Sequence, residues 1–225
     1  QNEIKFIEGW TFAQIRKVLN EHPAIEYKSA GLSDQQILQH IGASETAVEG
    51  IFFPDTYYFI KGSSDLDILQ RAYKTMQNHL QNYWSERVES LPLNTPYEAL
   101  ILASIIEKET GAESDRAEIA GVFINRLRKG MKLQTDPTVI YGLGEQFDGN
   151  LRKKDLLADQ EYNTYTRAGL PPTPISLPSL ASIRAALNPA ETDALYFVAK
   201  GNGESEFSTN LADHNKAVNK YQKQQ

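Results

Sequence analysis

Two glutamates, Glu107 and Glu109, follow a nearly apolar stretch of the sequence and are the side chains best suited to acid–base chemistry. The letters LILASII precede them, and apolar surroundings raise the pKa of a carboxyl group. The negative end of a helix dipole acts in the same direction on an acidic residue in a last helical turn. A general acid needs a carboxyl group that stays protonated near neutral pH. The pair therefore predicts a general acid at the end of one helix.

The residues around each glutamate favour Glu107 as the acid. One predicted helix face carries Ala103 and Ser104 beside Glu107, and these small side chains leave room for a substrate. Glu109 shares its face with two isoleucines, which fill space as core residues do. We therefore interpret Glu109 as a structural carboxylate that bonds a backbone N–H or an arginine. The alternative for either glutamate is a solvated or paired side chain with no chemical role.

The helix that must position this acid is predicted over residues 95–111, with signals at both ends. Thr95 is a good N-cap, Pro96 is tolerated at the first helical position, and Glu98 completes a capping box. Gly111 is a natural C-terminal stop. A helix that is apolar on most sides is buried, so this one is predicted at the centre of the fold.

A second group of polar residues lies at Gln134 and Asp136, on either side of Thr135 and just before Pro137. A carboxylate beside an amide can orient sugar hydroxyls or act as a second proton carrier. The alternative is a turn in which the aspartate bonds its own backbone. Gln134 and Asp136 are therefore candidate substrate-binding residues.

A third group combines aromatic faces with hydrogen-bonding side chains: Tyr162, Asn163, Thr164 and Tyr165. Such a mixture suits carbohydrate, whose apolar faces stack on rings and whose edges hydrogen-bond. Pro171 and Pro172 begin a stiff, extended loop that follows. We expect this loop and the two tyrosines to form one wall of a groove past the acid. The alternative is a loop anchored by buried tyrosines.

Composition excludes several classes of function. The 225 residues carry a net charge of −6, which argues against nucleic acid as a partner. The basic stretch RLRK at 126–129 is interpreted as a helix C-terminus, where positive charges interact favourably with the helix dipole. Cysteine is absent and the four histidines are scattered, so no metal site is predicted. Nucleotide, redox and serine-hydrolase motifs are missing, and no cofactor is expected. The sequence has no apolar run of bilayer length and no signal peptide, and its first residues suggest a fragment that has lost an anchor.

The pattern of elements predicts an α+β fold, with helices around a small, mainly antiparallel sheet and a smaller N-terminal module over residues 1–49. Residues 50–225 would form the main domain. Leu133 to Tyr141 is strand-like but broken at Asp136-Pro137. The remaining strong signals are amphipathic helices at 64–90, 115–129 and 210–222, a helix from Ser179 to Leu187, and a hairpin joining 194–200 to 205–209.

Five blocks, in order, resemble the YceG-like family of endolytic murein transglycosylases (the MltG type). They cover nearly everything after residue 50, and together they are far more specific than a single short motif. One departure is the loop LPPTPISLPS, where relatives carry Gly or Asn at some positions. The blocks are GIFFPDTYYF at 50–59, LILASIIEKET at 100–110, GVFINRLRKGMKLQTDPTVIYGLG at 121–144, YNTYTRAGLPPTPISLPSLASIRAALNP at 162–189 and ALYFVAKGNGESEFSTNLADHN at 194–215.

The resemblance implies cleavage of the β-1,4 bond between N-acetylmuramic acid and N-acetylglucosamine inside glycan strands. The first Glu of the EKE triplet, Glu107, would protonate the leaving oxygen and then act as base on the muramic C6 hydroxyl, leaving a 1,6-anhydro end. One carboxyl group suffices, whereas most glycosidases use two. The resemblance also implies a LysM-like module at 1–49, an extracytoplasmic location on the cytoplasmic membrane through a missing N-terminal anchor, and partners among cell-wall synthesis enzymes.

Two other functions remain open from the residues alone. The first is a water-using muramidase on the same scaffold, for which Glu109 or Asp136 could supply a second carboxylate. A non-catalytic wall-binding or scaffolding module, with structural carboxylates, is the alternative of a different class.

Overall fold

The computed structural model describes residues 1–109 and 112–222. Helices dominate this part of the chain, and a 3-10 turn lies at Gly144–Gln146. The helices are α1 (Phe12–Glu21), α2 (Asp34–Ile41), α3 (Asp65–Ser85), α4 (Pro96–Glu109), α5 (Glu113–Arg128), α6 (Asp136–Leu143), α7 (Lys153–Leu157), α8 (Leu180–Leu187) and α9 (Leu211–Tyr221).

The described strands form three separate two-stranded sheets. They are β1 (Asn2–Lys5), β2 (Ile25–Glu26), β3 (Thr56–Phe59), β4 (Ser63–Ser64), β5 (Tyr196–Ala199) and β6 (Ser205–Ser208). β1 pairs with β3 and β5 with β6, both antiparallel, whereas β2 pairs with β4 in parallel. The α+β class is confirmed, but the expected single sheet is three small ones.

Helix α4 lies at the centre of the core, as its sequence predicts. Every residue from 99 to 106 is buried. Its start carries the expected cap, because the Glu98 N–H donates to Thr95 Oγ1 at 3.2 Å. The Glu98 carboxylate accepts from the Asn94 N–H at 2.7 Å, one residue earlier than a capping box requires. The predicted stop at Gly111 lies outside the described residues.

The prediction of a strand over Leu133 to Tyr141 is wrong. Most of this stretch is helix α6, which begins at Asp136. Pro137 lies in the first turn, where a helix has no use for its missing N–H, so the Asp-Pro pair starts a helix instead of breaking a strand. The predicted helix over 64–90 is also shorter, because α3 ends at Ser85.

The segment before residue 50 packs onto the rest of the chain through backbone and buried contacts. Gly9 N–H donates to the Leu177 carbonyl at 2.8 Å, and the Leu177 N–H donates to the Trp10 carbonyl at 2.8 Å. The buried Glu49 carboxylate accepts from the Phe12 N–H at 2.8 Å and the Tyr141 hydroxyl at 3.0 Å. One apolar core includes residues from both sides of residue 50. The division into 1–49 and 50–225, and the LysM-like character of the first part, stay predictions.

No helix within residues 1–109 or 112–222 is long and apolar enough to cross a membrane.

Candidate active site

A cavity of about 490 Å³ opens beside the end of α4 and the start of α6. Its lining brings together four of the residues singled out from the sequence: Glu109, Gln134, Asp136 and Tyr165. The Tyr165 hydroxyl donates to Asp136 Oδ1 at 2.5 Å. Helices α5 and α9 and strand β5 supply most of the remaining lining. The predicted association of a glutamate with Gln134, Asp136 and Tyr165 therefore exists, but the glutamate in the lining is Glu109.

The Glu109 carboxyl group has a raised pKa, as a general acid requires. Burial raises the pKa of its carboxyl group to about 7, the Thr135 hydroxyl acts to lower it, and the negative charge of Asp136 raises it further. The Thr135 hydroxyl donates to Oε1 of Glu109. The second oxygen, Oε2, makes no hydrogen bond to any residue within the described ranges. A carboxyl group with a pKa near 7 and one uncommitted oxygen can both give and take a proton.

The start of α6 holds this arrangement in place through a cluster of threonines. The Thr135 N–H donates to Thr164 Oγ1 at 3.0 Å, and the Thr138 hydroxyl donates to the Thr135 carbonyl at 2.8 Å. Gln134 has φ +49°, an uncommon conformation for a residue with a side chain, and its N–H donates to the Thr164 carbonyl at 3.1 Å. Thr135 was missed as a site residue, although its place before Asp-Pro marks it as a helix cap.

Glu107 has different surroundings. Its Oε2 accepts hydrogen bonds from the Ser179 N–H at 3.0 Å, the Ser179 hydroxyl at 2.6 Å and the Ser182 hydroxyl. These donors belong to the N-terminus of α8, so the carboxylate ties α4 to α8. Residues two apart on a helix point about 200° apart, which is why only one of the two glutamates reaches the cavity. The described lining of the cavity does not include Glu107.

The small residues beside Glu107 do not leave room for a substrate. Ser104 is 0% exposed. Its hydroxyl accepts from the Ile175 N–H at 3.0 Å, and its carbonyl accepts from the Ser176 hydroxyl at 3.1 Å. The proline-rich segment after residue 170 therefore fills the space that the small face of α4 provides. Ser104 is thus occupied by contacts within the core, and its predicted contact with substrate stays a prediction.

Only Tyr165 of the aromatic group lines the cavity. The Tyr162 hydroxyl is 2.7 Å from Thr173 Oγ1, and its ring packs edge-on against Tyr141 with centroids 4.8 Å apart. Asn163 is 0% exposed, and its carboxamide donates to the Leu156 and Ala158 carbonyls at 3.1 and 2.8 Å. Thr164 is buried as well. Tyr162, Asn163 and Thr164 thus shape the loop that presents Tyr165 and do not contact the cavity at Glu109.

Pro171 and Pro172 line a different, smaller cavity of about 220 Å³, together with Asn163, Thr164 and Arg167. The described lining of the cavity at Glu109 contains neither proline. The loop supports the site from behind, through its contacts with α4, and does not form the expected wall beside the acid.

Four residues of the lining were missed from the sequence: Arg126, Tyr196, His214 and Asn215. The RLRK stretch is the end of α5, as predicted, and Arg128 there is exposed. Arg126 is instead 6% exposed. Its spacing offers a signal, because it follows Val122 by four residues and Phe123 by three, and therefore lies on the buried face of α5.

The described residues contain no group of three His, Cys, Asp or Glu side chains that could hold a metal ion. The cavity at Glu109 presents carboxyl, amide, hydroxyl and guanidinium groups with aromatic rings between them. Such a lining can hydrogen-bond a polyhydroxylated substrate and exchange a proton with it.

Residues 1–220 match the model of a family described as the YceG-like family. The chain belongs to the YceG-like family. It is 45% identical over 175 residues to an endolytic murein transglycosylase of Bacillus subtilis (strain 168), covering 77% of this chain and 48% of that protein. It is 33% identical over 177 residues to an endolytic murein transglycosylase of Streptococcus pneumoniae serotype 2 (strain D39), covering 76% of this chain and 32% of that protein.

A crystal structure of a yceG-like protein from Listeria monocytogenes superimposes on this YceG-like chain with a TM-score of 0.73 at 31% sequence identity. The match covers 96% of this chain and 76% of the Listeria chain. The resemblance deduced from the five sequence blocks is confirmed. This chain spans about half the length of the Bacillus relative and about a third of the pneumococcal one.

Proposed function

We propose that this YceG-like chain carries the active centre of an endolytic murein transglycosylase, with Glu109 as the acid and then the base. One observation carries the proposal: Glu109, whose pKa burial raises to about 7, lies in one cavity with Gln134, Asp136 and Tyr165. The names of the Bacillus and pneumococcal relatives support the same substrate and reaction. The substrate would be the bond between N-acetylmuramic acid and N-acetylglucosamine within a glycan strand.

The geometry suggests how the two proton transfers proceed. With the Thr135 hydroxyl bound to Oε1, the proton of the neutral Glu109 carboxyl group would lie on Oε2. Oε2 would give this proton to the glycosidic oxygen as the bond to the muramyl C1 breaks. The resulting carboxylate would take the proton of the muramyl C6 hydroxyl while that oxygen bonds to C1. The products are a 1,6-anhydro end and a free hydroxyl, and Glu109 returns to its neutral form.

The surroundings of Glu109 assist each step. The Asp136 carboxylate lies in the same cavity, where a negative charge stabilises the positive charge that develops on the sugar ring. Gln134 has both an amide donor and an acceptor for sugar hydroxyls. Tyr165 holds Asp136 through its hydroxyl.

The sequence and the family resemblance favoured Glu107 as the acid. Our proposal differs from that assignment, because it gives the role to Glu109. Three donors from the start of α8 occupy one oxygen of the Glu107 carboxylate. A carboxylate held in this way supports the helix pair α4–α8, and its removal would disturb the core next to Glu109.

A water-using muramidase is the second candidate, because Asp136 supplies a second carboxylate in the cavity. Mass spectrometry of digested, purified glycan strands separates the two reactions. We expect 1,6-anhydromuramyl ends from the wild type and no products from Glu109→Gln. Reducing ends would instead establish hydrolysis. A wild type that binds strands without cutting them would identify a wall-binding or scaffolding module.

We further propose that the chain acts at the extracytoplasmic face of the cytoplasmic membrane, where nascent glycan strands and the enzymes that synthesise them are found. The segment 1–49 would be a partial LysM-like module that helps to hold the strand. Its direct contacts with the rest of the chain, from Glu49 to the Tyr141 hydroxyl and from Gly9 to the Leu177 backbone, support a fixed position beside the active centre.

A further inference from the structure

The lining of the cavity at Glu109 contains a buried cation that the proposed proton transfers do not use. Arg126 is 6% exposed, and its side chain lies with Tyr196, His214 and Asn215 in the part of the lining that α5, β5 and α9 supply. We call these four residues the C-terminal wall. Burial lowers the pKa of Arg126, but a guanidinium group stays protonated in proteins. The wall therefore holds a permanent positive charge inside the cavity.

The guanidinium group of Arg126 donates fewer hydrogen bonds within the described residues than it has N–H groups. Nε donates to the Leu195 carbonyl at 2.7 Å, and Nη1 donates to the Lys132 carbonyl at 2.7 Å. A guanidinium group has five N–H donors, and within the described part of the chain the N–H groups on Nη2 have no acceptor. These N–H groups are free to bind an acceptor that enters the cavity.

Stacked rings hold the charge in a fixed orientation. Cζ of Arg126 lies 4.9 Å from the centroid of the Tyr196 ring. The Tyr196 and His214 rings stack at 5.0 Å with an interplanar angle of 24°. Burial, followed by the charge of Arg126, lowers the pKa of His214, so its imidazole is neutral at neutral pH. Nδ1 of His214 is buried and has no hydrogen-bond partner among the residues described.

We infer that the C-terminal wall is a subsite for the peptide attached to the muramyl sugar, with Arg126 binding a carboxylate or amide oxygen of that peptide. The inference rests on the proposed glycan substrate. The sugars of such a strand are neutral, and its acidic groups are in the peptides that the lactyl groups carry. The scissile bond adjoins a muramyl residue, so the arm that bears the peptide is near the acid. An arginine with free N–H groups is well suited to a carboxylate.

Paired substrates test the subsite. Glycan strands with intact peptides are compared with the same strands after an amidase has removed the peptides, and kcat/KM is measured for both. For the wild type we expect about tenfold higher kcat/KM on intact strands, the value of one charge-assisted contact, mainly through KM. Arg126→Lys should bring the ratio of kcat/KM on intact strands to kcat/KM on peptide-free strands close to one. Arg128→Lys, an exposed arginine on the same helix, is the matched control and should leave the ratio unchanged.

His214→Phe and Asn215→Leu keep the inference testable if Arg126→Lys does not fold, because Arg126 also holds two carbonyl groups. Phenylalanine preserves the stack on Tyr196 but removes the ring nitrogens. Both variants should lower the ratio about threefold, as expected for a neutral hydrogen bond. The inference is overturned if the wild type cleaves both substrates equally, or if none of the three wall variants changes the ratio. A failure of the proposed function is distinct, because then neither strand is cleaved.

Discussion

Glu107 and Glu109 lie two residues apart near the end of one buried helix, yet their surroundings differ in kind. The Glu107 carboxylate has three donors from the start of α8, so its hydrogen bonds join two elements of the core. Among the residues that the structure describes, the Glu109 carboxyl group accepts one hydrogen bond, from Thr135, and the charge of Asp136 and the cavity lie beside it. Two carboxyl groups at the end of one helix can therefore have different roles, because the segments that pack against each of them supply different partners.

The largest expected effect separates the two glutamates directly. Glu109→Gln should lower kcat about 10²- to 10⁴-fold, because a general acid contributes roughly that factor, while the melting temperature changes little. Strand cleavage and thermal unfolding are measured on the same preparation.

Glu107→Gln is the matched control for this experiment. It should keep most activity per folded molecule but lose about 1 to 3 kcal/mol of unfolding free energy, because an amide replaces a carboxylate opposite three donors. Full activity in Glu109→Gln, together with an inactive but stably folded Glu107→Gln, would reverse our assignment.

A smaller effect is expected at Thr135, whose hydroxyl donates to Glu109. Thr135→Val removes a donor that lowers the pKa of Glu109, so the pKa should rise above about 7. The acid is active when protonated, and the decline of kcat with rising pH should therefore move to higher pH. We expect kcat at its optimum to fall about tenfold because Glu109 loses its orientation.

Thr135→Ser retains the hydroxyl and should restore both the pH profile and most of the rate. If Thr135→Val has the same dependence of kcat on pH as the wild type, the Thr135 hydroxyl does not affect the pKa of the proton donor.

The smallest effect should appear in the pH profile of Asp136→Asn. The negative charge of Asp136 raises the pKa of Glu109, so its removal lowers that pKa. Activity should then be lost at lower pH than in the wild type, in the opposite direction to Thr135→Val. On the acidic side of this decline, kcat should be only a few-fold below that of the wild type if Asp136 is not a nucleophile. A pH–rate profile measures both the pH of the decline and kcat. An inactive Asp136→Asn would favour the muramidase with two carboxylates.

Much of the fold could be predicted because its signals are local. The helix predicted from Ser179 to Leu187 and the apolar run of α4 depend on neighbouring residues, and the structure confirms both. The α6 prediction failed because Asp-Pro was taken as a strand break, although the same pair starts a helix. The division into three small sheets could not be predicted, because β2 pairs with a strand 38 residues away and β1 with one 51 to 57 residues away.

Some residues of the candidate site could be predicted from the sequence, and others could not. Gln134, Asp136 and Tyr165 were chosen for their chemistry, and the structure places all three in one cavity with a glutamate. Asn163 was chosen for the same reason, and Ser104 for its small size, and both are buried, because a polar side chain serves backbone groups as readily as a substrate. Arg126 was missed, since a charged residue near a helix end is more often solvated than buried.

The residues alone indicate an apolar α4 that ends in two carboxylates, and they carry the blocks that place the chain in its family. Which of the two carboxylates lies beside the cavity depends on the tertiary structure. Two residues apart on a helix, the side chains point in nearly opposite directions, and what each one meets is set by distant segments. Ser179 and Ser182 reach Glu107, whereas Thr135 and an open cavity face Glu109.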